Sequence, residues 1–302
     1  MTTVTGTVPP SMGRNQAAER AETRRRRVPY LLLAPGLAWL VIFYLIPIFQ
    51  LLRMALTSGS LEAGFEFTWA WDNFIQVFST YQGQMLRSIG YALATTVITL
   101  VIAYPLAYAI AFRGGKYQSL LLLLLLMPLL FPFLMRTLAW RIILADQGVV
   151  VQALQNIGLL GENGRLLATG WAVVAGLVYN FLPFMALPIY VSLEKIDHRL
   201  IEAATDLYAK PSTAFRKVTL PMSMPGVISG TLLTMIPAAG DYVNVELLGN
   251  PRQAMMGNVV QNKFLNIIDY PSAAAISFVL MLAIVLVVIF YVRTAGTEDL
   301  VA

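Results

Sequence analysis

The sequence predicts an all-α protein that crosses a membrane six times. Of its 302 residues, 58% are hydrophobic and only 12% charged, against roughly 25% charged in ordinary soluble domains. Such a composition cannot form both an interior and a wetted surface without exposing a large apolar area, which a bilayer accepts and water does not. Six apolar runs, at about 29–53, 88–112, 118–140, 166–192, 222–246 and 273–293, have the length required. A helix needs roughly 20 such residues to cross about 30 Å of hydrocarbon, where only its own ladder satisfies the backbone. Charge supports the same count: most of the 21 lysines and arginines fall before residue 29, at Arg113 and Lys116, within 194–225, or at Arg293. With six spans these segments share one side, so the positive-inside rule puts both termini in the cytoplasm. Arg53, Arg87, Arg136, Arg141, Arg165, Arg252 and Lys263 are left for the outer side and the membrane edges.

Residues 1–28 read as a mobile cytoplasmic tail, polar and without apolar periodicity. Arg24 to Arg27 precede an apolar run of about 25 residues, too long for the core of a cleaved or twin-arginine signal; the first helix is expected to stay as an anchor. The next loop, 54–87, sets Phe65, Phe67, Trp69, Trp71 and Phe74 among Glu62, Glu66 and Asp72, the composition of a segment lying along the outer membrane surface. It either caps the bundle or touches an external partner. In the third span, Pro128 and Pro132 each remove a backbone donor and bend the helix. Arg136 and Trp140 follow near the outer boundary, either anchored at headgroups or shaping the outer mouth of a pathway.

The fourth span carries Tyr179, Asn180, Pro183 and Pro188 in an otherwise apolar run; Asn180 either bonds a neighbouring helix or lines a cavity. In the fifth, Pro237 and Gly240 loosen the helix just before Asp241, which a rise of 1.5 Å per residue from a start near Pro225 places about 24 Å along the axis, in the outer part of the bilayer. A carboxylate there either lines a polar pathway, with Tyr242, Asn244 and Glu246 extending the patch, or lies at the helix end beside headgroups. After the sixth span, 294–302 form a short cytoplasmic tail.

Chemistry within the chain is not expected. There is no cysteine and one histidine, His198, so neither a disulfide framework nor a Cys/His metal cluster is available. The patterns G-x-x-x-x-G-K-[ST], H-E-x-x-H and G-x-S-x-G are absent, and Asp241 is the one carboxylate within an apolar segment, where an aspartyl protease needs two. The formal charge of +5 lies in short loops rather than on one face, which argues against nucleic acid.

The informative stretch is 194–225, a charged interruption between two apolar runs. From Glu202 it reads EAATDLYAKPSTAFRKVTLPMSMPG. A helix-favouring run ends at Lys210-Pro211, because the residue before proline disfavours the α conformation. A second short helix starts at Pro211 or Ser212, and Pro221 and Pro225 punctuate the return to the membrane. Ala203, Ala204, Leu207, Phe215 and Val218 are apolar residues available to a partner's groove.

This loop resembles the EAA loop of bacterial ABC importer permeases: EAA, three residues, glycine, nine residues, isoleucine, one residue, Leu-Pro. The register falls on Glu202, Ala203, Ala204, position 208, Val218, Leu220 and Pro221, with Asp206, Leu207 and Phe215 between the fixed points. Position 208 is Tyr208, where the family usually has glycine. A turn needing positive φ would strain tyrosine, so either the turn shifts toward 209–211 or the docking changes.

The resemblance implies a six-helix permease of the type I (MetI-like) architecture, in a bacterial inner membrane. It also implies a second permease subunit, two copies of a cytoplasmic ATPase holding the ATP and Mg, and an extracytoplasmic substrate-binding protein. Within that family the chain looks most like spermidine/putrescine permeases, on RTLAW (136–140), GDYVNVELLGNP (240–251) and GNVVQNKF (257–264). Permeases for iron, thiamine, sulfate or other organic solutes share parts of these. For a cationic polyamine, Asp241 and Glu246 are suited to charge-assisted hydrogen bonds and Tyr242 to cation–π contact. A secondary transporter would show paired broken helices or an inverted repeat, and one clear break is present without a repeat. Hydropathy alone does not exclude a non-catalytic membrane scaffold.

Overall fold

The computed structural model describes residues 32–161 and 163–295. The expected tail 1–28 and most of the expected tail 294–302 lie outside the described residues. The chain divides into two units, Met1–Arg53 and Met54–Ala302. The described part of the first is the apolar helix α1, which runs from Leu32 to Ala55 across the unit boundary. Within it Val41–Leu45 form a π turn, and the Ile46 N–H bonds to the Val41 carbonyl. The widened turn sits immediately ahead of Pro47, which has no N–H to give, so the ladder loses little there.

The second unit begins with a hairpin, β1 (Thr57–Ser60) antiparallel to β2 (Gly64–Phe67), in the register Thr57↔Phe67. Strands of four residues, TSGS and GFEF, are too short to show alternation, so no periodicity marks them in the sequence. Helix α2 (Asp72–Thr80) leads into α3 (Gln82–Arg113). The third apolar run is broken: α4 (Gln118–Leu126) passes through a 3-10 turn, Met127–Leu130, to Phe131-Pro132, and α5 (Phe133–Ile143) leaves at 93°. Phe131 and Pro132 are both extended, with ψ near 140°, as residues at and before a proline require. The expected bend at the prolines is thus a sharp corner between two helices rather than a curve within one.

Helix α6 (Val149–Asn156) precedes α7 (Gly170–Glu194). Helix α8 (His198–Asp206) lies in the charged loop, and α9 runs unbroken from Pro211 to Ala239. This differs from the expected pair of short helices before a span at 222. A second π turn, Phe215–Thr219, carries the helix into Leu220-Pro221, the same arrangement as ahead of Pro47. The chain then forms α10 (Val243–Leu248), α11 (Met256–Gln261) and α12 (Tyr270–Ala295). Among the described residues five helices are long and apolar enough to span, and a sixth is reached when the bent α4–α5 pair is counted as one span. This is the six-helix membrane architecture the sequence predicts.

Helix α7 is the centre of the second unit. It packs on α3 and α9, which also pack on each other, and Val173, Leu177, Met185, Ala186, Ile189 and Leu193 are fully buried along it. Close approach depends on small residues, because lipid gives apolar side chains no reason to prefer each other. On α9, Gly226 faces the Pro188 carbonyl and Gly230 faces the Met185 carbonyl. A Cβ on Gly230 would stand 2.8 Å from that oxygen, and one on Gly226 would overlap its own.

Just before α12, Lys263 Nζ and Asp269 Oδ2 pair at 2.8 Å, both largely shielded. Asp269 also caps α12, its Oδ1 accepting from the Ser272 N–H at 3.2 Å. Burial pushes the Asp269 carboxyl up, but the Lys263 and Ser272 hydrogen bonds outweigh it and hold the group below its ordinary range. The Asp269 hydrogen bond holds the Lys263 ammonium above its ordinary range. The carboxylate's contribution is therefore present above its unfolded pKa of 3.8 and is lost as pH falls through the folded value; the lysine's is present below 10.5 and lost as pH rises beyond it. Asp269→Asn should lower the stability of the detergent-solubilised protein by about 1 kcal/mol at pH 7. In thermal unfolding against pH, the gap to wild type should close below pH 3.8.

Candidate functional site

Two regions stand out, at either end of α9. The first is the loop joining α7 to α9. The Asp197 carboxylate accepts from the Arg199 N–H at 2.9 Å and starts α8. The helix ends in a Schellman motif: Tyr208 N–H to Thr205 carbonyl, 2.9 Å, and Ala209 N–H to Ala204 carbonyl, 3.1 Å. That motif needs a left-handed residue at its end, and Tyr208 supplies it with φ 57°. The turn has not shifted toward 209–211. A side chain in this conformation costs about 1–2 kcal/mol, and the Tyr208 ring is 97% exposed.

Glu202, Ala203, Asp206 and Leu207 are exposed beside it, with Ala204 half-buried. Phe215 turns the other way. It meets Tyr104 and Tyr108 of α3 edge-on, with centroids 5.8 and 6.0 Å apart, while Tyr104 and Ser223 share a hydrogen bond of 2.8 Å. Leu220 is half-buried and Pro221 exposed. Phe215 therefore fastens the base of the loop to the membrane domain, and the open face belongs to 202–208.

The second region begins where α9 stops at Gly240. Asp241 does not continue that helix. It is 8% exposed and caps α10, Oδ1 accepting from the Asn244 N–H at 2.8 Å and Oδ2 from Asn244 Nδ2 at 3.1 Å. Asn244 Oδ1 in turn accepts from Asn180 Nδ2 at 3.2 Å, and Asn180 Nδ2 also donates to Thr137 Oγ1 at 3.2 Å. All four side chains are buried. A polar chain thus joins α10, α7 and α5, which is how buried amides are tolerated among apolar helices.

The pathway candidates separate accordingly. Asp241 and Asn180 lie inside this network, while Tyr242 and Glu246, one turn apart, are exposed. Tyr242 borders an open apolar groove of about 620 Å³ between α9, α11 and α12. Asn258 at the start of α11 donates to the Tyr242 carbonyl at 2.9 Å and holds the break in place. Tyr179 is half-buried with its ring 5.5 Å from Trp140. Arg136 lies over Phe133 at 5.7 Å, its Nε and Nη1 buried without a hydrogen-bond partner among the described residues. Asn244 was legible only as part of a polar patch, and Thr137 gave no signal, being one threonine in an apolar helix. No group of three or more potential metal ligands occurs among the described residues.

Comparison with known proteins agrees with this geometry. Residues 103–295 match the family described as "Binding-protein-dependent transport system inner membrane component". The spermidine/putrescine transport system permease protein PotB of Haemophilus influenzae is 35% identical over 257 residues, 85% of this chain and 90% of that protein. PotB of Escherichia coli is 34% identical over 258 residues, covering 85% and 94%. The inner membrane ABC transporter permease protein YdcU of Escherichia coli is 29% identical, covering 72% of each chain. In three dimensions the chain is similar to a bacterial ABC transporter that imports the acidic polysaccharide alginate, with TM-score 0.66, 17% identity, 92% of this chain and 98% of that one. A bacterial alginate ABC transporter in complex with an alginate pentasaccharide-bound periplasmic protein gives a TM-score of 0.67 at 18% identity, covering 92% and 97%. The set of apolar spans, the EAA register between α7 and α9, and a family match across most of the chain together make this a member of the binding-protein-dependent transport system inner membrane components, the permeases of ABC importers.

Proposed function

We propose that this permease carries a polyamine of the spermidine/putrescine class, and that Glu246 and Tyr242 meet the solute. The observation that carries the substrate is the 34–35% identity to spermidine/putrescine permeases along 85% of the chain. In this reading the chain pairs with a second permease, two copies of a cytoplasmic ATPase drive it with ATP and Mg, and an extracytoplasmic binding protein delivers the solute. Both termini and the 194–225 loop face the cytoplasm, as the positive-inside rule requires. ATPase movement enters at 202–208 and travels along α9, one helix from Pro211 to Ala239, to the break that holds α10. Asp241 and Asn180 position α10, and Arg136 with Trp140 borders the outer mouth. The exposed Glu246 carboxylate and the half-exposed Tyr242 ring offer an ammonium both a charge and a π face.

The test is uptake by the reconstituted complex, with spermidine and putrescine set against thiamine, ferric iron and sulfate. Saturable, ATP-dependent polyamine uptake is expected. Uptake of one of the others in its place would replace the substrate and leave the family untouched. Glu246→Gln should raise the apparent KM for polyamine about tenfold, the equivalent of about 1.4 kcal/mol, with basal ATPase activity unchanged. Unaltered KM would remove the residue from the pathway.

A further inference from the structure

We propose that the Tyr208 ring is an added anchor that enters an apolar recess on the cytoplasmic ATPase, so that this permease selects its ATPase through an aromatic residue held in a left-handed turn. The inference rests on the docking role given above to the 202–208 face. Four described residues other than glycine have positive φ, and of these Tyr208 is the most exposed, at 97%, with Leu207 beside it at 82%. A residue retained in a sparsely populated backbone region points to use of its side chain, since glycine would make the same turn without strain. The ring makes no ring contact, and its hydroxyl no hydrogen bond, among the described residues.

Charge identifies the occupant. Glu202 and Asp206 lie one turn apart on α8, and neither forms an ion pair among the described residues. Two carboxylates at that spacing repel, so the complementary surface has a basic edge beside the recess. Exposed Arg199 and Lys210 flank this pair, so the face carries both signs; a protein groove can match both, whereas an anionic lipid surface matches the basic residues alone. Aromatic side chains filling a pocket are the typical centres of interface energy.

The experiment titrates the ATPase onto the full-length permease, with its companion permease, in nanodiscs. Tyr208→Gly and Tyr208→Ala should each weaken ATPase binding by about tenfold or more, while Tyr208→Phe stays within about twofold of wild type. Tyr208→Gly removes the strain, so its thermal midpoint should equal or exceed wild type, which separates lost contact from lost folding. Binding by Tyr208→Gly within twofold of wild type, or loss of binding in Tyr208→Phe, overturns the inference. Glu202→Lys separates the two levels. If it loses the ATPase while Tyr208→Gly keeps it, only the anchor fails; if Glu202→Lys binds as wild type, the docking face itself is wrong.

Discussion

Gly226→Val should leave almost no folded permease in the membrane. At this position the backbone of α9 approaches the Pro188 carbonyl and the Ser192 side chain of α7 so closely that even a Cβ overlaps the carbonyl oxygen. A flexible neighbour could move aside; a backbone carbonyl in the middle of the most buried helix cannot. The helices must separate, and the neighbouring contact at Gly230 with the Met185 carbonyl is lost with it. Overpacking in a close-packed interior costs about 1–3 kcal/mol where side chains yield, and more is expected where backbone must. Fluorescence-detected size exclusion of the solubilised protein would show a monodisperse peak for wild type and aggregate for Gly226→Val. Gly36→Val is the control, since a Cβ there meets nothing within 4 Å. A monodisperse Gly226→Val protein would mean that α7 and α9 do not pack at this distance.

Asn244→Leu should be the most damaging change in the polar network, at about 3 kcal/mol. Leucine removes the Nδ2 donor of the Asp241 carboxylate and the Oδ1 acceptor shared by Asn180 and Thr137. Each buried group left without a partner costs roughly 1–3 kcal/mol. Space is also short, because a Cβ on Gly176 would already stand 2.8 Å from Asn244 Oδ1. Asp241→Leu combined with Asn244→Leu should be less destabilised than the two single losses summed, because the pair then leaves no orphaned carboxylate. Thermal unfolding of the four proteins completes the cycle, and strict additivity would show that the two side chains are not coupled.

The spans were legible in the sequence because the signal, twenty apolar residues in a row, is local. The loop was legible for a related reason, since residue types at fixed spacing between Glu202 and Pro221 survive without any knowledge of packing. What was misread follows from the same limits. Hydropathy starts the span at 222, whereas α9 runs unbroken from Pro211, because Arg216 and Lys217 hide its first turns and Pro221 and Pro225 read as stops. Pro221 is tolerated because the π turn ahead of it absorbs the missing donor. For Asp241 the sequence leaves open a polar pathway or a helix end beside headgroups; Gly240 ends the helix, and the carboxylate is a buried cap of the next one. Thr137, Asn180 and Asn244 are separated by 43 and 64 residues, and no window along a chain relates them.

The corner at Phe131-Pro132 bears on what surrounds the protein. From Gln118 to Leu130 the chain climbs only about 20 Å, less than the thickness of the hydrocarbon, before α5 turns aside. With Gln118 at the membrane boundary, the corner lies at a depth where lipid tails are the default neighbour, and Phe131 is 56% exposed on the isolated chain. Extended backbone at that depth is compatible only with a protein neighbour or with water. The Phe131 N–H bonds to the Pro128 carbonyl at 3.2 Å and the Arg136 N–H to the Pro132 carbonyl at 3.2 Å, so part of the corner's backbone is paired within the chain. In the proposed assembly, this corner is the place where a second chain or a wet vestibule would complete the wall.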